Sequence, residues 1–205
     1  MLVEKNVNNL LSSNSYVITC ELDDGAWIVD PGNPDPLCNL LYKHNKFLKG
    51  ILITHSHFDH IYGLNELVKK YPNTKVYASK LSQVGFQSAK LNGSYYANMP
   101  FIIDPFDINY LSVLEIEIFQ NISAKIFNTP GHNNDCISFY IQDFLFTGDA
   151  MIPNAPVHTK SKFANKNDAI ESLNMIINHF DPFTIICPGH GESMMLKDVV
   201  IPNFI

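Results

Sequence analysis

The sequence predicts an α/β fold in one domain spanning residues 1–205, and three observations predict it. Short apolar, β-branched runs bounded by Gly, Pro and Asp recur along the chain and read as buried strands. Between them lie longer stretches with apolar residues at helical spacing. Each group of potential metal-binding side chains also follows a strand-type run, which puts the chemistry on loops at strand ends.

In chain order, Tyr16 to Leu22 and Ala26 to Val29 read as strands joined by the turn Asp23-Asp24-Gly25. Pro36 to Lys49 reads as a helix with Leu37, Leu40, Leu41, Tyr42 and Phe47 on its apolar face and Gly50 as its stop. Gly-Ile-Leu-Ile-Thr before His55 is a strand, and a helix from about Ile61 to Tyr71 ends at Pro72-Asn73. Lys75 to Ala78 is a short strand and Leu81 to Leu91 a helix. Leu114 to Phe119 pairs with Ala124 to Phe127, and Cys136 to Ile141 with Phe144 to Phe146. Asn167 to Phe180 is an amphipathic helix through Ile170, Leu173, Ile176 and Ile177, and Phe183 to Cys187 is the last strand.

The run Thr-His-Ser-His-Phe-Asp-His at 54–60 holds His55, His57, Asp59 and His60, and His132, Asp149 and His190 follow alone. Five of the eight histidines fall in this set. Imidazole and carboxylate are the ligands that zinc and similar divalent ions favour, and so dense a cluster would be costly to bury without a cation. His44 and His179 lie on helix-like stretches and read as solvated or capping residues. His158 and Lys160, in the loop after Asp149, are candidates for substrate contacts, with Lys162 as a further cation and Tyr95 and Tyr96 as candidates for a cleft wall.

These motifs carry a family resemblance. Thr-His-Ser-His-Phe-Asp-His, Thr-Pro-Gly-His132, Gly-Asp149 and Pro-Gly-His190-Gly, in this order, resemble the signature of the metallo-β-lactamase-fold superfamily, with glyoxalase II-like (hydroxyacylglutathione hydrolase-like) proteins as the nearest pattern. The resemblance runs from about Asn14 to Glu192 and implies an αββα sandwich of two mixed sheets flanked by helices. It implies that His55, His57 and His132 hold one divalent ion, that Asp59, His60 and His190 hold a second, and that Asp149 bridges them. Zinc is the default ion, with iron or manganese as alternatives. A carboxylate at the bridging position departs from the best-known class of β-lactamases, which argues against antibiotic hydrolysis.

The activity implied is hydrolysis of a small thioester, ester or lactone by a metal-bridging hydroxide, formed as the ions lower the pKa of water from about 15.7 towards 7. Asp59 would also act catalytically, orienting that nucleophile and taking its proton. Two alternatives stay open: a mononuclear iron persulfide dioxygenase using the positions of His55, His132 and Asp149, and a phosphodiesterase of the same fold. The resemblance implies that relatives using glutathione have an additional C-terminal helical region, which is not expected here after His190, and a glycine- and arginine-containing run after the bridging aspartate, which the residues after Asp149 lack.

Charge and cysteine use narrow the partners. The formal charge is −6 and none of the fourteen basic residues is arginine, so no basic stripe for nucleic acid is expected. Cys20, Cys38, Cys136 and Cys187 are scattered without a Cys-x-x-Cys and read as free thiols of a reducing cytoplasm, Cys187 being placed in a buried strand. No apolar stretch approaches the roughly 20 residues of a membrane span, and the N-terminus lacks a signal-peptide pattern. The expected partner is a small-molecule substrate, with a homodimer as the base-rate assembly.

Overall fold

The structure, a computed structural model, describes residues 1–111 and 114–201. Two six-stranded sheets form the centre. The first has strands in sequence order: β1 (Leu2–Val7), β2 (Asn14–Thr19), β3 (Gly25–Val29), β4 (Phe47–Leu52), β5 (Lys75–Ala78) and β6 (Ile108–Tyr110). The second runs in reverse order, from β12 (Met194–Met195) through β11 (Ile185–Pro188), β10 (Phe144–Gly148), β9 (Ile137–Ile141) and β8 (Ile122–Asn128) to β7 (Glu115–Phe119). Each sheet is mixed: β3, β4, β5 and β6 are parallel neighbours, as are β10 and β11, whereas the remaining pairs are antiparallel.

Alternation along the strands builds three apolar layers. Tyr16, Ile18, Trp27, Val29 and Leu52 of the first sheet meet Ile118, Phe119, Ala124, Phe139 and Phe146 of the second. Their neighbours Val17, Ile28 and Ile51 point the other way, because successive side chains leave opposite faces of a strand. There they meet Leu37 and Leu41 of helix α1 (Pro34–Lys43), Ile61 of α2 (Phe58–Ile61), and Leu64 and Leu67 of α3 (Leu64–Lys70). Across the molecule, Leu145 and Ile186 of the second sheet pack on Ala169, Leu173 and Ile176 of α5 (Lys166–His179). These layers are the expected αββα sandwich. Trp27 also bridges the sheets by donating its indole N–H to the Ile118 carbonyl at 2.9 Å.

Three sequence expectations are corrected. The helix expected over Pro36–Lys49 ends at Lys43, since Asn45 takes a left-handed φ of 50° and Phe47 begins β4. Gly50 therefore stops nothing: it lies inside β4 beneath Trp27, where a Cβ would fall 2.2 Å from the indole ring. The helix expected over Ile61–Tyr71 is two short helices, broken at Gly63, whose Cβ would fall 2.1 Å from the Gly32 carbonyl. That expected over Leu81–Leu91 shrinks to α4 (Ser82–Phe86), beyond which buried Asn92 and Ser94 bind neighbouring backbone and hold a chain of turns.

Candidate metal centre

Every predicted ligand arrives at the same end of the sandwich. His55 lies three residues past β4, and His57, Asp59 and His60 occupy the start of α2 and the turn before it. His132 lies in the β8–β9 loop, Asp149 directly after β10, and His190 two residues past β11. Parallel strand ends of both sheets thus converge, as the sequence indicated. Two glycines permit the close approach. A Cβ at Gly148 would fall 2.3 Å from Thr54 Oγ1, and one at Gly189 would fall 2.1 Å from Asp149 Oδ1.

The donor atoms form two triads, His55/His57/His132 and Asp59/His60/His190, within each of which they lie within 4.8 Å of one another. Asp149 reaches both. Its Oδ2 lies 3.4 Å from His132 Nε2 and 3.5 Å from His190 Nε2, and its Oδ1 lies 3.5 Å from His60 Nε2. His190 Nε2 is 3.3 Å from Asp59 Oδ2. A third group, Asp30 with His55 and His60, also has its donor atoms within 4.8 Å of one another. The Asp30 carboxylate is already occupied, however: it accepts Thr54 N–H at 2.8 Å, the Thr54 hydroxyl at 2.6 Å and His60 Nδ1–H at 3.0 Å.

These hydrogen bonds fix the tautomers. His60 Nδ1 must donate to a carboxylate, His132 Nδ1 to the His158 carbonyl at 3.0 Å, and His190 Nδ1 to the Leu11 carbonyl at 3.1 Å. The only proton of the Thr54 hydroxyl goes to Asp30, so its oxygen accepts from His55 Nδ1 at 3.0 Å. All four rings therefore turn Nε2 into the site, as a lone pair whenever the ring is neutral. His55 Nε2, His60 Nε2 and Asp149 Oδ1 are buried there with no hydrogen-bond partner among the described residues. Orphaned acceptors so deeply buried fit a cation, because burial without a partner is costly.

Electrostatics agree. Burial, then the neighbouring imidazoles, keep His55 well below the ordinary histidine range, and burial with His132 nearby takes His57 down to about 4. Burial likewise lowers His132. These rings are neutral at pH 7, the form that ligates metal. Burial also disfavours a charge on His60, but Asp59, Asp149 and Asp30 outweigh it and lift the ring to about 10. Asp59 is held at about 2, its burial overcome by His60 and His190. Three carboxylates around one buried imidazole demand a positive charge, which a proton supplies when no cation does.

Asp30, Thr54, the His158 carbonyl and the Leu11 carbonyl were not singled out by sequence. Asp30 alone left a signal, as the aspartate of Asp-Pro-Gly after an apolar strand; its left-handed φ of 53° aims it beneath His60. His44 and His179 lie apart, His44 capping α1 beside Glu4 and His179 packing on Phe127 and Phe180. All four cysteines are free.

Beside His57 opens a cavity of about 420 Å³, lined by Lys90, Leu91, Gly93, Tyr96, Asn133, Ser161, Lys162 and Phe163. Lys160 is exposed and absent from this lining, and the exposed His158 side chain has its ring centroid 6.2 Å from that of His132.

Residues 8–190 match the model of the metallo-beta-lactamase superfamily. The chain belongs to that family. It is 33% identical over 141 residues to the hydroxyacylglutathione hydrolase of Pseudoalteromonas translucida, an alignment covering 68% of this chain and 47% of the relative. The chain spans about half the length of the first such relatives it matches. A probable metallo-hydrolase of Streptococcus pyogenes is 26% identical, with 94% of this chain and 85% of the relative aligned. Among solved structures of the superfamily, a protein titled BLEG-1 B3 metallo-beta-lactamase superposes with a TM-score of 0.88 at 25% identity, covering 96% of this chain and 95% of the other. A protein solved in a di-iron-bound form superposes at 0.82 and 23% identity, with 95% of each chain covered, and shows the same fold.

Proposed function

We propose that this superfamily member is a metal-dependent hydrolase of small thioesters, esters or lactones, with two divalent ions, zinc by default, in the two donor triads. The supporting observation is Asp149, whose carboxylate lies within 3.4–3.5 Å of donors from both. The similarity to hydroxyacylglutathione hydrolases supports the thioester class. When bound, such ions supply Lewis acidity towards a carbonyl and lower the pKa of a nucleophilic water.

The chain's own groups do the rest. His55, His57 and His132 present neutral lone pairs, while Asp59, His60 and His190 form the more anionic half of the site. Asp59 stays ionised and buried, ready to orient a water and to take its proton. Asn133 and Ser161 offer hydrogen bonds along the cavity, and Lys162 with Lys90 offers positive charge to an anionic part of the substrate. His158 holds His132 through its carbonyl and, with Lys160, stands at the outer edge of the substrate path. Among the described residues no helix is long and apolar enough to cross a membrane. A single-domain cytoplasmic enzyme, with dimerisation as the base-rate assembly, completes the reading.

The test is elemental analysis of protein purified without added metal, together with hydrolysis of a thioester, a lactone and a penicillin. About two zinc ions per chain and thioester or lactone turnover are expected. A single iron with oxygen consumption and no hydrolysis favours the dioxygenase reading instead, for which the 3.4 Å approach of His132 to Asp149 supplies part of a two-histidine, one-carboxylate triad.

A further inference from the structure

Four of the five clustered imidazoles are held by their rings: His55 on Thr54, His60 on Asp30, His132 on the His158 carbonyl and His190 on the Leu11 carbonyl. His57 is different. Among the described residues its ring has no carbonyl, hydroxyl or carboxylate partner, only His132 Nε2 at 2.8 Å from its Nδ1. A ligand without a ring partner must be aimed by its backbone.

That backbone is gripped at the preceding residue. The N–H of Ser56, between His55 and His57, donates to Asp135 Oδ2 at 3.0 Å. Asp135 is 1% exposed and stands three residues beyond His132, on the loop that carries the other ligand of the pair. A second bond runs the same way: Ile137 N–H donates to the Thr54 carbonyl at 2.9 Å. Residues 54–57 and 132–137 are therefore laced together on both sides of His55. Packing closes the remaining side, since Gly85 of α4 leaves room for Ser56 where a Cβ would fall 2.1 Å from the serine oxygen. After His57, Phe58 N–H donates to the Asn92 carbonyl at 2.8 Å and ties the cavity wall to the same segment.

We infer that Asp135 is a positioning residue for the first donor triad, holding Ser56 so that His57 meets His132 at ligand distance. The inference rests on the metal reading above and assigns the work to an oxygen acceptor. Burial raises the Asp135 carboxyl, and the hydroxyls of Ser56 and Ser82 oppose that rise. An amide oxygen in the same place accepts the same N–H. Asparagine thus preserves the function, and alanine does not.

The test is titration of the metal-free chain with cobalt(II), reading the visible ligand-field bands and the affinity against a chelator. Asp135→Ala is expected to weaken the tighter sites about 10–100-fold, as loss of an outer partner does, and to alter the band shape, with Asp135→Asn staying within about threefold of the parent. Thermal melting of the metal-free proteins checks folding; if alanine does not fold, Asp135→Leu fills the space without an acceptor and takes its place. Equal affinity in the non-accepting variant overturns the inference, as does an asparagine variant as weak as alanine. A parent chain that binds no cobalt overturns the metal reading, and this inference with it.

Discussion

The floor and the rim of the site are built on opposite principles. On the floor, His55, His60 and Asp59 are buried, and four of the five imidazoles have their outer nitrogen committed to a protein acceptor. On the rim, Lys90, Tyr96 and Lys162 are exposed: Tyr96 is 73% accessible, Lys90 lies over the Tyr95 ring at 5.3 Å and Lys162 over the Phe163 ring at 5.2 Å.

 A rigid floor suits ions, which require fixed donor geometry, and an adaptable rim suits a substrate that must enter and leave. Floor substitutions should therefore abolish binding and chemistry together, whereas rim substitutions should change substrate preference.

The largest expected effect is at Asp149. Alanine there removes the carboxylate shared between the triads, so binding of the second ion and turnover should both fall by well over about a hundredfold, more than an outer partner costs. Metal content by elemental analysis and kcat on a thioester read it directly; two retained ions with intact turnover would remove Asp149 from the bridging position.

One step out, Asp30→Ala should cost about 10–100-fold in metal affinity, since His60 loses the acceptor that fixes its tautomer. It also strands Thr54, whose N–H and hydroxyl both donate to Asp30. A stability loss visible in thermal melting should accompany the loss of affinity. Normal affinity in this variant would mean that the floor does not depend on its outer hydrogen bonds.

The floor also predicts how the metal-free chain responds to pH. His57 is lowered from 6.5 to about 4 in the folded state, so the unfolded chain binds the proton first. The stability tied to its neutral form is present above about pH 6.5 and is lost as pH falls towards 4. Asp59, lowered from 3.8 to about 2, extends that acid loss to lower pH. His60 has the opposite sign: raised from 6.5 to about 10, it contributes below about 6.5 and is lost as pH rises through 10. Saturating metal takes the place of the His60 proton, so the alkaline limb should vanish from melting curves recorded with zinc. An alkaline limb that persists with bound metal would place the proton elsewhere.

The same contrast separates what was legible in the sequence from what was not. The seven floor side chains could be read because candidate metal ligands come from a short set, His, Asp, Glu and Cys, and here they follow strands that deliver them, so residue type and position both constrain the choice. Asp30 was harder, since one buried aspartate after a strand looks like a turn residue until its distance to His60 is known. Asp135 left no signal, because nothing local to Asn-Asn-Asp-Cys tells that it faces Ser56, 79 residues earlier. Among the elements, β4 was partly hidden inside an expected helix because Leu37, Leu40, Leu41 and Phe47 satisfy helical spacing, and only the left-handed Asn45 separates them. The strands β1, β6 and β12 went unread: β1 and β6 have no buried residue, and β12 has only two residues.

The rim gives the smallest effect and the sharpest test of the contrast. Lys162 lines the cavity beside His57, and Lys160, two residues earlier, does not. Exposed lysines in high dielectric contribute modestly, so Lys162→Ala should raise KM for a thioester with a distal carboxylate about three- to tenfold, with kcat and metal content unchanged. The same change should leave KM for an uncharged ester as it was, and added salt should shrink the difference between parent and variant as screening predicts. Lys160→Ala serves as the comparison within the same loop. If it matches or exceeds Lys162→Ala, the anionic group lies further out, near His158, and the substrate path follows the outer edge of the loop instead of the cavity wall.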